Sequence, residues 1–460
     1  MTPSLEHDQL AILRAGKLAG AKRLDLSCGL QHFPEEIYDL TESLEILNLS
    51  GNNLSALPND LTRLTKLKVI FCSDNQFTHV PEILGQCPEL SMIGFKSNQI
   101  SMLASDALPS KLQWLILTDN QLDQLPASLG RCLNLQKLML AGNKLAHLPD
   151  EMATCNKLEL LRISANRFEL LPEWLLSLPR LAWLAFSGNP LCNEYEAAQH
   201  ANHHISKIDW FKIQLQQKLG EGASGIIYQA TLQNTADNTQ TVALKLFKGT
   251  VTSDGLPQSE MAACIAAGAH PNLTSTTGIL SGHPDDVGGL VMSLINASFS
   301  NLGNPPSLAS CTRDTYPTDK RFAIKIVLNI ALGIAKAIQH LHTKGITHGD
   351  CYAHNILHND DGDCLLVDFG AASFLPVKHA KTLQRIEVLA YARLLEELIE
   401  RCDVSEQSKL PLQVMRNLQH TCEQTEVANR PGFTEITQAL IAIQSQASYH
   451  SITFKPKSQN

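Results

Sequence analysis

The chain has 460 residues, of which 44% are hydrophobic and 18% charged, with a formal net charge of -8. That length suits two or three domains, each with a core of its own, and the acidic balance argues against non-specific binding to nucleic acid or to an anionic membrane. The start MTPSLEHDQLAILRAG has no basic segment ahead of an apolar run, no stretch approaches 18 uninterrupted apolar residues, and the twelve cysteines form no CxxC pair. The sequence therefore reads as a cytoplasmic protein with free thiols, without a secretory leader, a membrane span, a zinc site or a disulfide framework.

After an N-terminal cap over residues 1–15, residues 16–192 repeat. In register they read LEILNLSGNNL, LKVIFCSDNQF, LSMIGFKSNQI, LQWLILTDNQL, LQKLMLAGNKL, LELLRISANRF and LAWLAFSGNPL, with asparagines at 52, 75, 98, 120, 143, 166 and 189, spaced by 22 or 23. A degenerate copy, LDLSCGLQHFP, precedes them with Cys28 in the asparagine position. This is the leucine-rich repeat pattern. It predicts a short strand per copy with leucines pointing inward, an asparagine bonded to backbone groups that would otherwise be buried unpaired, and a curved solenoid with one continuous core. Pro58, Pro81, Pro126, Pro149 and Pro172 break the chain into each return segment.

Period-two alternation selects the side chains on the open face of these strands. One column is Ile46, Val69, Met92, Trp114, Lys137, Leu160 and Trp183; the other is Asn48, Phe71, Gly94, Ile116, Met139, Arg162 and Ala185. So apolar a face marks a binding surface for a protein partner or substrate, or a surface covered by another part of the chain. Phe71, Trp114, Ile116, Met139 and Trp183 are its candidate anchors. Residues 193–212 read as a linker. Its His200, His203 and His204 lack paired cysteines or carboxylates, so a solvated segment is expected there rather than a metal site.

The second half carries the motifs expected of a phosphate-handling site. KLGEGASGIIYQA places Gly220, Gly222 and Gly225 ahead of a β-branched, aromatic segment that reads as a strand. Glycines there let backbone N–H groups approach phosphate oxygens. TVALKLFKG follows with Lys245, and SEMAACIAAGAHPNL supplies Glu260 in a helical pattern ending near Gly268. Then come GGLVMSLI, the amphipathic run FAIKIVLNIALGIAKAIQHLH, ITHGDCYAHNIL with His348, Asp350 and Asn355, and LLVDFGAA with Asp368 and Phe369.

In this order the motifs resemble a eukaryotic-type protein kinase over residues 213–445, with a C-terminal tail over 446–460. Together with the repeats, the chain is similar to the bacterial leucine-rich repeat protein kinases. The resemblance implies a solenoid followed by a bilobal kinase fold with a short activation segment, using ATP and Mg²⁺. It implies that Asp350 orients the acceptor hydroxyl, that Asn355 and Asp368 bind Mg²⁺ through hard oxygens, and that Lys245 over the phosphates pairs with Glu260. Nucleotide contacts fall on Gly220, Gly222, Ser224, Gly225, Ile227, Ala243, Lys245 and Met292, with Ser293, Leu294 and Ile295 as the hinge. His348 and Phe369 belong to the spine between the lobes.

The chain also departs from the family. Gly349 replaces the Arg that pairs with a phosphorylated activation loop, Tyr352 replaces the Lys common in Ser/Thr kinases, and His354 stands where tyrosine kinases carry Arg. No APE motif lies between Asp368 and Glu387, Glu387 replaces an Asp, and Arg430 of NRPGF must find a new partner. The readings are a Ser/Thr-type protein kinase whose repeats bind a partner, substrate or the kinase domain itself, a small-molecule kinase with a regulatory repeat domain, and a catalytically weak nucleotide-binding scaffold. The polar loop NLGNPPSLASCTRDTYPTDK is expected to face substrate or to be disordered.

Overall fold

The computed structural model describes residues 3–193, 196, 206–222, 224–235 and 238–453; the linker histidines His200, His203 and His204 lie outside them. The chain divides into two compact units, Met1–Arg180 with Asn189–Leu191, and Leu181–Gly188 with Cys192–Asn460.

The first unit opens with helix α1 (Pro3–Arg14) and then repeats one three-residue strand: β1 (Arg23–Asp25), β2 (Ile46–Asn48), β3 (Val69–Phe71), β4 (Met92–Gly94), β5 (Trp114–Ile116), β6 (Lys137–Met139) and β7 (Leu160–Arg162). The strands pair in parallel in chain order, so Leu24, Leu47, Ile70, Ile93, Leu115, Leu138 and Leu161 align across the sheet. All seven are buried in one continuous core. Pro81, Pro126, Pro149 and Pro172 sit just ahead of single 3-10 turns on the return segments, where their fixed φ costs nothing.

The asparagines join consecutive copies. Asn75 donates to Leu49 O at 2.9 Å and accepts from Leu54 N at 2.9 Å, and Asn120 does the same with Phe95 O and Ile100 N at 2.8 and 2.9 Å. A further regularity lies in the residue before each asparagine. Gly51, Asp74, Ser97, Asp119, Gly142, Ala165 and Gly188 all take a left-handed backbone, with φ between 52° and 73°. Gly and Asp tolerate that conformation; Ala165 and Ser97 hold it at a cost of roughly 1–2 kcal/mol each, offset by the asparagine bonds that follow.

The second unit contains β8 (Trp183–Ala185), although the repeat pattern of the sequence runs on to residue 192. The physical reason is apolar packing: Trp183 and Ala185 are buried, and the contacts of Trp183 lie on residues 351 and 352 of the same unit. The unit's main sheet uses β9 (Lys207–Asp209), β10 (Ile213–Glu221), β11 (Gly225–Thr235), β12 (Asn238–Phe247), β13 (Thr276–Ser281) and β14 (Gly289–Ser293) in the order β10-β11-β12-β14-β13-β9. Ile208, Ala230, Leu232, Val242, Leu244 and Val291 form its core. Helix α2 (Pro257–Ala267) begins with a proline in its first turn and ends at Gly268, φ 64°.

Beyond the sheet lie β15 (Ser300–Asn301), α3 (Ile324–Thr343), β16 (Ile346–Thr347), the hairpin β17 (Ile356–His358) and β18 (Cys364–Leu366), β19 (Ser373–Phe374), and helices α4 (Ala380–Glu400), α5 (Glu406–Cys422) and α6 (Phe433–Thr453). Among the described residues α3 is the one helix long and apolar enough to cross a membrane. Its Val327, Leu328, Ile330, Ala331, Ile334 and Ile338 are buried, and Ala331 O accepts from the Tyr391 hydroxyl of α4 at 2.8 Å.

Candidate active site

Residues placed by three separate elements meet in the second unit. β12 carries Lys245 and α2 carries Glu260; both are buried and ion-paired, and Asp368 Oδ1 lies 3.5 Å from the Lys245 ammonium. Burial alone pushes the ammonium pKa down, but Asp368 and Glu260 outweigh it and hold Lys245 above its ordinary value. Burial also pushes the Glu260 carboxyl up to about 7, against the pull of Lys245. Asp368 takes a left-handed backbone, φ 61°, that brings its own Oδ1 within 3.2 Å of Gly370 N. Desolvation opposes its charge, yet Lys245 and that N–H hold the carboxyl below the usual carboxylate range.

The loop after β16 carries the second group. Asn355 Nδ2 donates to Asp350 Oδ2 at 2.7 Å and to Asp350 O at 3.1 Å. His348 is fully buried, and burial lowers its pKa, so the ring is neutral. Its Nε2 faces Val367 O at 3.2 Å, and a carbonyl only accepts; Nε2 therefore carries the proton, and Nδ1 accepts from Asp350 N at 3.3 Å. The His348 ring meets Phe369 at 5.2 Å and 60°. The β17–β18 hairpin fixes the other ends: Ile356 pairs with Leu366, and Val367 N donates to Asn355 O at 2.9 Å, so Asn355 and Asp368 leave one hairpin side by side.

The residues expected to contact nucleotide are placed by register. Ile227 opposes Lys245, and Ala243 opposes Met292, so these four share one face of the sheet. β14 ends at Ser293, and Leu294 is 37% exposed beyond it. Gly220 and Gly222 have open space where a Cβ would stand, whereas a Cβ on Gly225 would come within 2.5 Å of Leu246 O. Ser224 is buried, and its carbonyl accepts from Lys248 N at 3.0 Å. Ala223 lies outside the described residues.

This donor set suits a nucleotide with a divalent metal. Among the described residues no group of three or more His, Cys, Asp or Glu side chains gathers around a metal-sized point. A magnesium ion held by one carboxylate and one amide oxygen, with phosphates and water completing its shell, needs no such group.

Tyr352 and His354 face elsewhere. The Tyr352 ring stacks on Trp183, and His354 bonds Asp314 through Nδ1 at 2.7 Å and through its backbone N–H at 2.9 Å. Burial lowers the His354 pKa, but the Asp314 hydrogen bond and charge outweigh it, and the net shift is upward. A histidine with a raised folded pKa contributes stability in full below its unfolded value near 6.5 and loses it as pH rises through the folded value. His354→Gln therefore lowers the melting temperature more at pH 6 than at pH 9, as read by calorimetry.

Sequence reasoning missed Asp314, which lies in the loop expected to face substrate or to be disordered. That loop is ordered: Arg313 meets Glu396 at 2.9 Å, and the Tyr316 hydroxyl donates to Glu397 at 2.7 Å. Glu387 accepts from Gly349 N at 2.7 Å and faces His342 Nε2 at 2.7 Å, so it ties the loop backbone to α4. Arg430 is buried and donates to Gln424 O at 2.9 Å and to Arg385 O at 3.3 Å. Burial, with Arg393 nearby, lowers its pKa to about 10.

The candidate partner face in the first unit is an aromatic cluster. Phe71, Trp114, Ile116 and Met139 are half-buried. Phe71 lies over Gly94, where a Cβ would come within 2.6 Å of the ring, and meets Trp114 edge-on at 6.4 Å; Lys137 Nζ sits 4.2 Å from the Trp114 centroid. Trp183 is not among them. It is 2% exposed, with its indole bonded to Cys351 O and stacked on Tyr352, so it is not on offer to a partner.

Residues 213–409 match the protein tyrosine and serine/threonine kinase family, and residues 43–64, 110–168 and 133–191 match leucine-rich repeat families. The chain joins leucine-rich repeats to a protein kinase domain. Fibroblast growth factor receptor 1 of Dugesia japonica is 24% identical over 275 residues, covering 49% of this chain and 31% of that protein. The probable serine/threonine-protein kinase gdt4 of Dictyostelium discoideum is 28% identical over 181 residues, 38% of this chain and 10% of its own. PH domain leucine-rich repeat-containing protein phosphatase 1 of Homo sapiens is 34% identical over 92 residues, 20% of this chain and 5% of its own. The chain thus spans less than a third of each of these relatives.

Proposed function

We propose that the kinase domain transfers the terminal phosphoryl group of Mg²⁺-bound ATP to a serine or threonine hydroxyl of a protein, in the manner of bacterial leucine-rich repeat kinases, and that the aromatic face of the repeats binds a protein partner or substrate. The observation that carries the reading is the convergence of the Lys245–Glu260–Asp368 cluster with the Asp350–Asn355 pair. Phosphoryl transfer depends chiefly on positioning and charge neutralisation, and this site supplies both. Asn355 and Asp368 would hold Mg²⁺, whose chemistry is to neutralise phosphate charge. Lys245 places a fixed cation beside the phosphates. Asp350, held by Asn355, accepts the hydrogen bond of the attacking hydroxyl and orients its oxygen.

Support for Ser/Thr rather than Tyr comes from His354, which stands in the place of the tyrosine-kinase arginine and is turned onto Asp314. Support for a cytoplasmic setting comes from twelve free cysteines, most of them buried. The few residues between Asp368 and the start of α4 favour a second reading, a small-molecule acceptor, because little chain is left to dock a peptide.

Incubating the full chain with radiolabelled ATP and Mg²⁺, beside Asp350→Ala, tests this. Label on protein serine or threonine, reduced about a thousandfold in the variant, is the expected result. Label on tyrosine overturns the specificity, and label confined to a small hydroxylated metabolite moves the assignment to the second reading.

A further inference from the structure

The loop around Asp350 is held from two directions. From one side come Asn355 and His348. From the other comes the segment Leu181–Gly188 of the same compact unit. The indole N–H of Trp183 donates to Cys351 O at 3.2 Å, and its ring lies flat on Tyr352, 4.2 Å between centroids and 7° between planes. These contacts fall on the two residues that follow Asp350. A rotation of the Asp350–Cys351 or Cys351–Tyr352 peptide would break one or both of them. Tyr352 N in turn donates to Asp350 O at 2.9 Å, and Asn355 N donates to Tyr352 O at 3.1 Å, so fixing Tyr352 fixes the turn that presents both functional side chains.

The same segment makes two further contacts. Phe186 N donates to the Ser373 hydroxyl at 3.0 Å, and Ser373 pairs with Thr347 across β16 and β19. The Leu184 carbonyl closes on Gly349 so tightly that a Cβ there would stand 2.8 Å from it. The stretch 181–188 thus lies against the same loop as Ala371 and Ser373.

We propose that Trp183 is a positioning residue for phosphoryl transfer: through Cys351 and Tyr352 it holds Asp350 in its working geometry, so that the segment Leu181–Gly188 replaces the ordering that a longer activation segment gives. The inference rests on the kinase reading above, but its physical core, the clamping of residues 350–352, does not. Trp183 bonds Cys351 and stacks on Tyr352 rather than on the residues proposed to hold nucleotide, so its removal should act on kcat and leave the affinity for ATP alone.

The test uses the full chain with Trp183→Phe, which keeps a stacking ring and loses the N–H, and Trp183→Ala, which loses both. Measurements are kcat, KM for ATP, and amide hydrogen exchange of the peptide spanning residues 346–357. Trp183→Phe should lower kcat about fivefold and Trp183→Ala on the order of a hundredfold. KM for ATP should stay within about twofold, since an interaction made only on the way to the transition state leaves it unchanged, with faster exchange confined to residues 346–357. Unchanged kcat and exchange in both variants overturn the proposal. So does a fall in kcat matched by a rise in KM and by faster exchange throughout the second unit, which describes plain structural support. A wild-type chain that transfers no phosphate sinks the kinase reading and leaves the exchange pattern to decide whether Trp183 clamps the loop.

Discussion

Lys245→Met lowers phosphoryl transfer by a hundred to a thousandfold and at the same time makes stability depend steeply on pH. In the proposed reaction the first effect is the loss of a fixed cation where phosphate charge would be neutralised, a contribution worth that range in comparable electrostatic sites. The second comes from Glu260, which is 3% exposed and ion-paired with Lys245. Breaking a buried pair by removing one partner costs about 3–5 kcal/mol if the remaining charge stays. Glu260 can avoid part of that cost by taking up a proton, because burial already pushes its carboxyl up to about 7 and Met removes the cation that pulled it down. A carboxyl whose folded pKa lies above its unfolded value binds more protons folded than unfolded, so stability falls as pH rises between those two values. The gap in melting temperature between wild type and Lys245→Met should therefore widen from pH 5.5 to pH 8.5. A constant gap would mean that Glu260 does not titrate in this range.

Gly349→Arg, which restores the residue usual at this position in protein kinases, should abolish activity rather than improve it. Gly349 has φ 73°, and a Cβ there would stand 2.5 Å from Ala371 O and 2.8 Å from Leu184 O. The left-handed backbone alone costs about 1–2 kcal/mol for a residue with a Cβ, and two carbonyls must also move. Gly349 N is bonded to Glu387 at 2.7 Å and precedes Asp350, so the shift passes directly to the carboxylate proposed to orient the acceptor. Gly349→Ala separates the causes. If the Cβ is responsible, alanine alone produces most of the loss of kcat and of melting temperature. If alanine is harmless and only arginine inactivates, charge or bulk is the cause and the steric account fails.

Much of both units is legible in the residues. The 22- and 23-residue spacing of the asparagines, with alternating leucines, gives the strands of the solenoid and their parallel register, because one buried amide per turn leaves few other solutions. The order of Gly220, Lys245, Glu260, Asp350, Asn355 and Asp368 leads to a kinase domain because each residue type is tied to phosphate or metal chemistry. What stays hidden depends on distant packing. Alternation assigns Trp183 to an open face as firmly as Trp114, since period two reports which side of a strand a residue occupies and not what lies over it. Gly349 reads as a missing arginine; its positive φ and the two carbonyls pressed on it appear only in three dimensions. Asp314 sits in a polar, turn-rich stretch, and nothing near it in sequence points to His354, forty residues away. Ala165 and Ser97 give no local sign of their left-handed backbone, which the neighbouring asparagine imposes.

The asparagine ladder has a direction. Each side chain reaches backward: Asn75 to Leu49 O and Leu54 N, Asn143 to Leu117 O and Leu122 N, and Asn166 to Leu140 O and Leu145 N, 26 and 21 residues earlier, and Asn120 to Phe95 O and Ile100 N, 25 and 20 residues earlier. A copy is thus closed by the one made after it. The ladder is therefore one-sided: losing a copy opens the bonded carbonyl and amide of the copy before it to water and leaves those of the copy after it closed.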